Sequence, residues 1–355
     1  MTYVENIQQI SSILRTGCES RNLSTLFYVK GQTKVLATCR TEIVKHEKLE
    51  KTLKSFLKLF DLTRSYSFED KMKLARKYLN ADEEMLTDIV KKVEFSPLMC
   101  FLYSKHDGFD VNEFLNSPFK TFSDEWDTLK TFDKEKFCVL LLCVIYNGTI
   151  NESMFDVLND FDKEEKRKLK VIFECCNLGR DTPRSAIKDK LNACVGTYFT
   201  KVDREYKVIH DKMFDFLCDY FGKALIAPIL KYADDKLISE RVQLESIEQT
   251  HGEFTIIVSS TYEQKYIDRL KMDLKNGKIH WCLNNVQMRY KEYRDKFLDI
   301  VKDLDVDMKR RFIDIKDENG INAFIISCMR GYEELVDLFI SVGLMLMHKM
   351  DGSHH

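Results

Sequence analysis

The sequence has little proline, four residues in 355, and only thirteen glycines. So few helix breakers and turn formers, beside abundant Leu, Lys, Glu and Asp, point to a mainly helical protein with few tight turns. It has no Cys-x-x-Cys pair. The eleven cysteines are scattered, Cys175-Cys176 are merely adjacent, and His280-Trp281-Cys282 has no partner at zinc-like spacing. Ordinary buried thiols in a reducing compartment fit this usage, and no metal is expected. Long apolar runs are missing too. The longest stretch, residues 138–146, is less than half of the roughly 20 residues a bilayer span requires. Neither sign of charge is in excess, with Lys+Arg 55 against Asp+Glu 57 and a formal net charge of -2. There is therefore no general electrostatic reason to bind nucleic acid or an acidic membrane surface. The opening Met1-Thr2-Tyr3-Val4-Glu5 lacks the basic flank and apolar core of a secretion signal, so a soluble cytoplasmic protein is expected.

Motifs that carry chemistry are equally sparse. Glycine-lysine pairs occur only at Gly222-Lys223 and Gly277-Lys278. Neither has a glycine five positions earlier or a Ser/Thr after it, so no Gly-x-x-x-x-Gly-Lys-Ser/Thr phosphate cradle exists. Leu26-Phe27-Tyr28-Val29 is followed by lysine, and no apolar strand ends in paired acids before Lys34. No Gly-x-Ser-x-Gly elbow and no His-Glu-x-x-His helix is present. On these grounds no catalytic residue is assigned, and hydrolysis of a nucleotide is not expected.

What is present is a succession of small units, at least two and at most four of them compact at this length. Residues 1–64 hold a helical pattern (Ile7, Ile10, Leu14), a β-branched run at Lys34-Val35-Leu36-Ala37-Thr38-Cys39-Arg40, and a second helical stripe at Leu49, Leu53, Phe56, Leu57 and Phe60. The run has the composition of a buried parallel strand that delivers a cation at its carboxyl end, where ligands of α/β sheets bind. Residues 65–132 read as a small helical domain. Ser67 caps its first helix with Asp70 three residues on. Met85, Ile89 and Val93 line the second, Ser96-Pro97 starts the third, and a looser stretch runs from Asn116-Ser117-Pro118 to Asp133.

Residues 133–225 begin with a stripe at Phe137, Leu140, Leu141 and Val144, stopped by Asn147-Gly148. Helical patterns follow at Met154 and Leu158, at Lys166 and Phe173, and after Thr182-Pro183. Tyr198-Phe199-Thr200-Lys201-Val202 and Tyr206-Lys207-Val208-Ile209 then flank the polar turn Asp203-Arg204-Glu205, a hairpin signature. Helices followed by a hairpin suggest a winged-helix domain, closed by a helix with Met213, Phe214, Leu217 and Phe221 that ends at Gly222. Residues 226–312 read as a helical connector, with one apolar run around Phe254 and Val258 that suits a strand or a buried helix. Tyrosines and lysines interleave at Tyr262, Tyr266, Tyr290 and Tyr293, a pattern of core tyrosines with a solvated charged side rather than a nucleic-acid face. In 313–355, Asp317-Glu318-Asn319-Gly320, Asn322-Ala323-Phe324-Ile325, Gly331-Tyr332 and Leu338-Phe339-Ile340 resemble one degenerate ankyrin repeat. A single repeat leaves apolar residues uncovered, so protein partners, a second copy included, are expected there.

The order of these units resembles a novel STAND family of signalling P-loop NTPases. Leu36-Ala37-Thr38-Cys39-Arg40 matches its sensor strand. Phe95-Ser96-Pro97-Leu98-Met99-Cys100 is similar to the motif whose proline packs on adenine, and Val208-Ile209-His210-Asp211 resembles its winged-helix Met-His-Asp motif. Tyr266-Ile267-Asp268-Arg269-Leu270, Gly277, Asn285, Tyr290 and Arg294 look like its connector. The resemblance implies that residues 1–64 are the end of a P-loop α/β core. It also implies that Arg40, Pro97 and His210 face a nucleotide, with ADP or ATP weakly bound at most. The function it implies is that of a truncated or degenerate regulatory scaffold in intracellular, innate-immune-like signalling. Two alternatives stay open. The chain could be a fragment of an active switch whose cradle lies upstream, or a winged-helix DNA binder through Arg184, Lys188 and Lys190.

Overall fold

The computed structural model describes residues 66–92, 96–156, 163–179, 181–247, 254–316 and 320–351. The strand at Val35 and Arg40 therefore lie outside the described residues. The described chain is mainly α, with seventeen α-helices and two small sheets. It divides into two compact units, one up to Cys100 and one from Phe101 onward.

In the first unit, α1 (Phe68–Tyr78) starts as its sequence dictates. Ser67 Oγ accepts from the Asp70 amide at 3.2 Å, and Asp70 accepts from the Ser67 amide at 3.3 Å, a reciprocal capping box. Helix α2 (Glu83–Lys92) buries Leu86, Ile89 and Val90, while Met85 is 37% exposed. The buried face thus follows three- and four-residue spacing around Leu86 rather than the Met85 line expected from sequence. Arg76 grips Glu83 with two donors at 2.7 and 3.1 Å, tying α1 to α2. Pro97 opens α3 (Pro97–Tyr103), where its missing N–H costs no helical bond.

The second unit is organised around one helix. After α4 (Val111–Asn116) comes α5 (Pro118–Phe132), in the stretch that sequence left irregular. Pro118 is a first-turn residue there, not a breaker, and the helix buries Phe122 and Trp126. Helix α6 (Lys134–Ile145) follows. Its residues 137–145 are all buried, not a stripe of them. A helix apolar on every side must be central, and α5 packs on it. So do β1 (Thr149–Asn151), α7 (Lys163–Cys175), α8 (Arg184–Ala193), α9 (Asp211–Ala224) and α10 (Ile226–Tyr232). The expected helix at Met154 is a single 3₁₀ turn, Glu152–Phe155.

Strands β2 (Phe199–Val202) and β3 (Glu205–Val208) form the hairpin read from sequence, and β1 joins the far side of β3, giving the antiparallel order β1-β3-β2. Asp203 takes the positive φ of 54° at the turn, a conformation Asp tolerates better than most residues. Strand β1 is too short, at three residues, to show alternation in the sequence.

Beyond α9 lie α11 (Asp235–Arg241), β4 (Val242–Leu244), β5 (Ile256–Val258), α12 (Ser260–Lys275), α13 (Ile279–Leu283) and α14 (Lys291–Lys302). The apolar run at Val258 resolves to strand β5, paired in parallel with β4. Gly222 does not end α9. A Cβ there would meet Ile256 Cγ2 at 3.0 Å, so its role is to let β5 approach the helix closely.

At the carboxyl end α15 (Val306–Asp314) precedes the hairpin of α16 (Ala323–Arg330) and α17 (Glu333–Asp351). Asn322 caps α16 by accepting from the Ile325 amide at 2.9 Å. Gly331, at φ 67°, supplies the left-handed residue that ends it, with Tyr332 N–H donating back to Ser327 C=O at 2.9 Å. Sequence expected Phe339 to lie uncovered. Instead it is buried, with its ring 5.7 Å from that of Phe312 on α15. Among the described residues of the hairpin, Ile325, Met329 and Ile340 are the large apolar side chains left in solvent. No helix among the described residues is long and apolar enough to cross a membrane.

Candidate functional site

His210 lies where β3 hands over to α9. Ile209 N–H still donates to Tyr198 C=O at 2.8 Å, continuing the sheet, and the next residue turns into the helix. His210 is extended (φ -161°, ψ 148°) and exposed, and its Nδ1 accepts from the Lys212 amide at 3.0 Å. It therefore fills the N-cap role usually taken by Ser, Thr, Asp or Asn. Because Nδ1 accepts, the neutral ring carries its proton on Nε2, which is the donor it can offer a ligand. Asp211 follows in the first turn of α9, where a carboxylate complements the helix dipole. Pro97 sits half-buried in the first unit, at the start of α3. Of the three residues assigned to a nucleotide by resemblance, two are thus found at helix starts, as their sequence context indicated.

Three polar centres inside the second unit escaped sequence analysis. The first surrounds Arg269 on α12. Its Nε donates to Asp273 at 2.7 Å and its Nη2 to Asp235 at 2.6 Å. Nη1 and Nη2 also reach the carbonyls of Leu230 and Ala233, at 3.1 and 3.0 Å, where α10 ends. Lys278 joins Asp235 at 3.0 Å. Burial raises the Asp273 carboxyl above its usual range, and the attraction of Arg269 opposes that without cancelling it.

The second centre is Tyr266, Tyr293, Asn285 and Gln287, all buried. Tyr266 Oη accepts from Asn285 Nδ2 and Gln287 Nε2, each at 3.0 Å. Both its lone pairs being used, its proton goes to Tyr293 Oη at 2.7 Å. Burial pushes both phenols up, so the network stays neutral at physiological pH.

The third is His106, 7% exposed, stacked on Phe109 at 5.4 Å and set edge-on to Phe122 and Tyr198 at 4.9 Å each. Its Nδ1–H donates to Leu102 C=O at 3.0 Å, while Nε2 is buried without a partner. Burial lowers its pKa below 6.5, with Lys136 adding to that and the Leu102 carbonyl, Glu125 and Asp107 opposing it. The sign follows from linkage. The unfolded chain binds a proton near pH 6.5 that the folded chain refuses until lower pH, so stability is full above about 6.5 and falls as pH drops toward the folded pKa. Urea midpoints measured from pH 7.5 to 5 should fall for the wild type. His106→Phe should flatten that dependence, since the Leu102 carbonyl still accepts from Lys105 N–H at 3.1 Å. An unchanged slope in the variant would clear His106 of the effect.

Cations on α8 and the hairpin are engaged within the fold. Lys188 and Lys201 bridge to Glu152 at 3.0 and 3.2 Å, Lys190 to Asp133 at 2.7 Å, and Arg204 to Asp156. Among the described residues no group of three or more His, Cys, Asp or Glu could hold a metal ion. His280 and Cys282, two residues apart in the sequence motif, belong to α13, and burial pushes the Cys282 thiol up. No family model matches the chain, and no curated protein and no solved structure is similar to it at a significant level.

Proposed function

We propose that the chain is a regulatory, partner-binding member or portion of a STAND-type signalling NTPase, one that binds nucleotide weakly and does not hydrolyse it. The observation that carries this reading is the order α6, β1, α7, α8, β2, β3 with sheet order β1-β3-β2, followed at once by His210 capping α9. Helix, strand, two helices and a hairpin wing in that order suit a winged-helix domain. The residue at its exit has one Nε2–H donor for a phosphate oxygen. Hydrolysis is left out because positioning a triphosphate and Mg²⁺ needs a backbone cradle and an acidic metal ligand that the sequence does not supply. DNA binding is disfavoured by the ion pairs that hold Lys188, Lys190, Lys201 and Arg204, since phosphate contacts would have to break them. The exposed Ile325, Met329 and Ile340 on the carboxyl-terminal hairpin are the apolar residues offered to a protein partner.

Calorimetry with ADP tests the nucleotide part. Removing a charge-assisted hydrogen bond costs about 1.5–3 kcal/mol, so Arg40→Ala and His210→Asn should each weaken binding by about tenfold or more. Asparagine keeps the N-cap of α9 while deleting the Nε2 donor, so loss of affinity would not be loss of fold. Equal affinities in the wild type and both variants would remove Arg40 and His210 from any site.

A further inference from the structure

A groove of about 470 Å³ opens on the second unit between α7, α10 and α12. Its walls are mostly apolar: Val171 and Cys175 from α7, Ala227, Pro228 and Tyr232 from α10, and Met272 from α12. The volume falls within the range of about 300–1,000 Å³ usual for small-molecule sites and is too small to seat a helix of a partner protein. Lys231 and Lys265 stand at its edge, exposed, and neither makes an ion pair among the described residues. Their ammonium groups lie over the rings of Tyr232 and Tyr262, at 5.1 and 4.9 Å. Arg269 also reaches the groove, but Asp235 and Asp273 neutralise it from behind.

We propose that this groove binds a small amphipathic carboxylate, an acyl chain of medium length whose tail lies on the apolar walls and whose head group is held by Lys231 and Lys265. An apolar trough with two lysines at its edge that make no ion pair among the described residues is complementary to one apolar molecule with an anionic end. Asp268, exposed at the same wall, favours a monoanion over a doubly charged phosphate, which it would repel more strongly. Binding is non-covalent: burial raises the Cys175 thiol, which leaves less of the reactive thiolate at neutral pH. His210 does not line this groove, so the proposal stands or falls apart from the nucleotide reading.

Cys175 makes the test direct. It is half-buried in the groove wall, whereas Cys328 is exposed on α16, which contributes nothing to the groove. Maleimide labelling of the full chain, resolved by peptide mass spectrometry, should slow about tenfold at Cys175 with saturating decanoate below its micelle concentration, with Cys328 unaffected. Decanol and decylamine should protect Cys175 much less. By calorimetry, decanoate should bind with one-to-one stoichiometry, and Lys231→Glu with Lys265→Glu should weaken it by about tenfold, a modest factor because both lysines are exposed. Those lysines hold no structural ion pair, so the double variant should keep its fold, and Ala227→Trp supplies a second variant that fills the groove. Unchanged labelling of Cys175, equal protection by decylamine, or unchanged affinity in the charge-reversed variant would each overturn the proposal. Tighter binding of decyl phosphate than of decanoate would overturn the assignment of a carboxylate.

Discussion

Replacing Arg269 with methionine should destabilise the second unit by about 3–5 kcal/mol, the cost typical of breaking a buried ion pair by deleting one partner. Four hydrogen bonds leave this guanidinium, two to carboxylates and two to main-chain carbonyls. Its planar fork serves all four acceptors at once; lysine, with a single ammonium, could not reach them together. Methionine would fill much of the volume while leaving Asp273 buried beside one remaining cation, Lys278, whose ammonium is 3.8 Å away. The Leu230 and Ala233 carbonyls, near the end of α10 where the helix itself offers fewer donors, would be left short of partners. Adding Asp273→Asn to Arg269→Met should restore part of the loss, because no unpaired carboxylate then remains buried. Urea titrations of the three proteins would measure it. A loss under about 1 kcal/mol for Arg269→Met would mean that the cluster is solvated in solution. Acid should not be what breaks it. The Asp273 carboxyl is raised by folding, so the folded chain binds that proton first, and between the ordinary value of 3.8 and the raised one this group's contribution falls as pH rises.

Local signals carried the parts of the fold that local chemistry controls. Ser67 with Asp70, Pro97, Gly331 and the turn at Asp203 each do what their residue types allow nowhere else so cheaply, and each was legible. Where sequence misled, tertiary burial had overridden a local cue. Pro118 marks a helix start, although the stretch behind it looked irregular. Gly222 is small for the sake of Ile256, not to end α9. Strands β1 and β4 are three residues each, too short to display a period.

The site was legible to a smaller extent. His210 could be placed at a strand-to-helix junction from its neighbours, but its use of Nδ1 as a cap depends on the backbone of Lys212. Arg269 appears in sequence as one cation among many. Three of its acceptors lie 34 to 39 residues away, so nothing in the local pattern separated it from the solvated lysines around it. The interleaved tyrosines were read as core, and Tyr266 and Tyr293 are buried. The amides that tie them together were not foreseen, because a buried Asn or Gln has no periodic signature of its own.

Gln287 yields the second large effect. Strand β4 pairs with β5 on one edge, and the other edge meets no strand among the described residues. There the side-chain amide of Gln287, fully buried, takes a strand's place. Its Oε1 accepts from Leu244 N–H at 2.8 Å, and its Nε2 donates to Val242 C=O at 3.2 Å and to Tyr266 Oη at 3.0 Å. Gln287→Leu should therefore strand two buried main-chain groups, while Tyr266 keeps Asn285 and Tyr293 as partners. Each unsatisfied group costs about 1–3 kcal/mol, so a loss of at least about 2 kcal/mol is expected. Tyr293→Phe removes the acceptor of the Tyr266 proton and leaves that one buried O–H unsatisfied, so it should cost about 1–3 kcal/mol, less than Gln287→Leu. Gln287→Glu tests the donor side separately. It retains an acceptor for Leu244 but puts a charge where no cation waits, and should be at least as harmful as leucine. Amide exchange at Leu244 gives the local readout: it should quicken in Gln287→Leu more than in Tyr293→Phe. If both variants leave that amide equally protected, β4 is held by its apolar contacts alone and the edge amide is incidental.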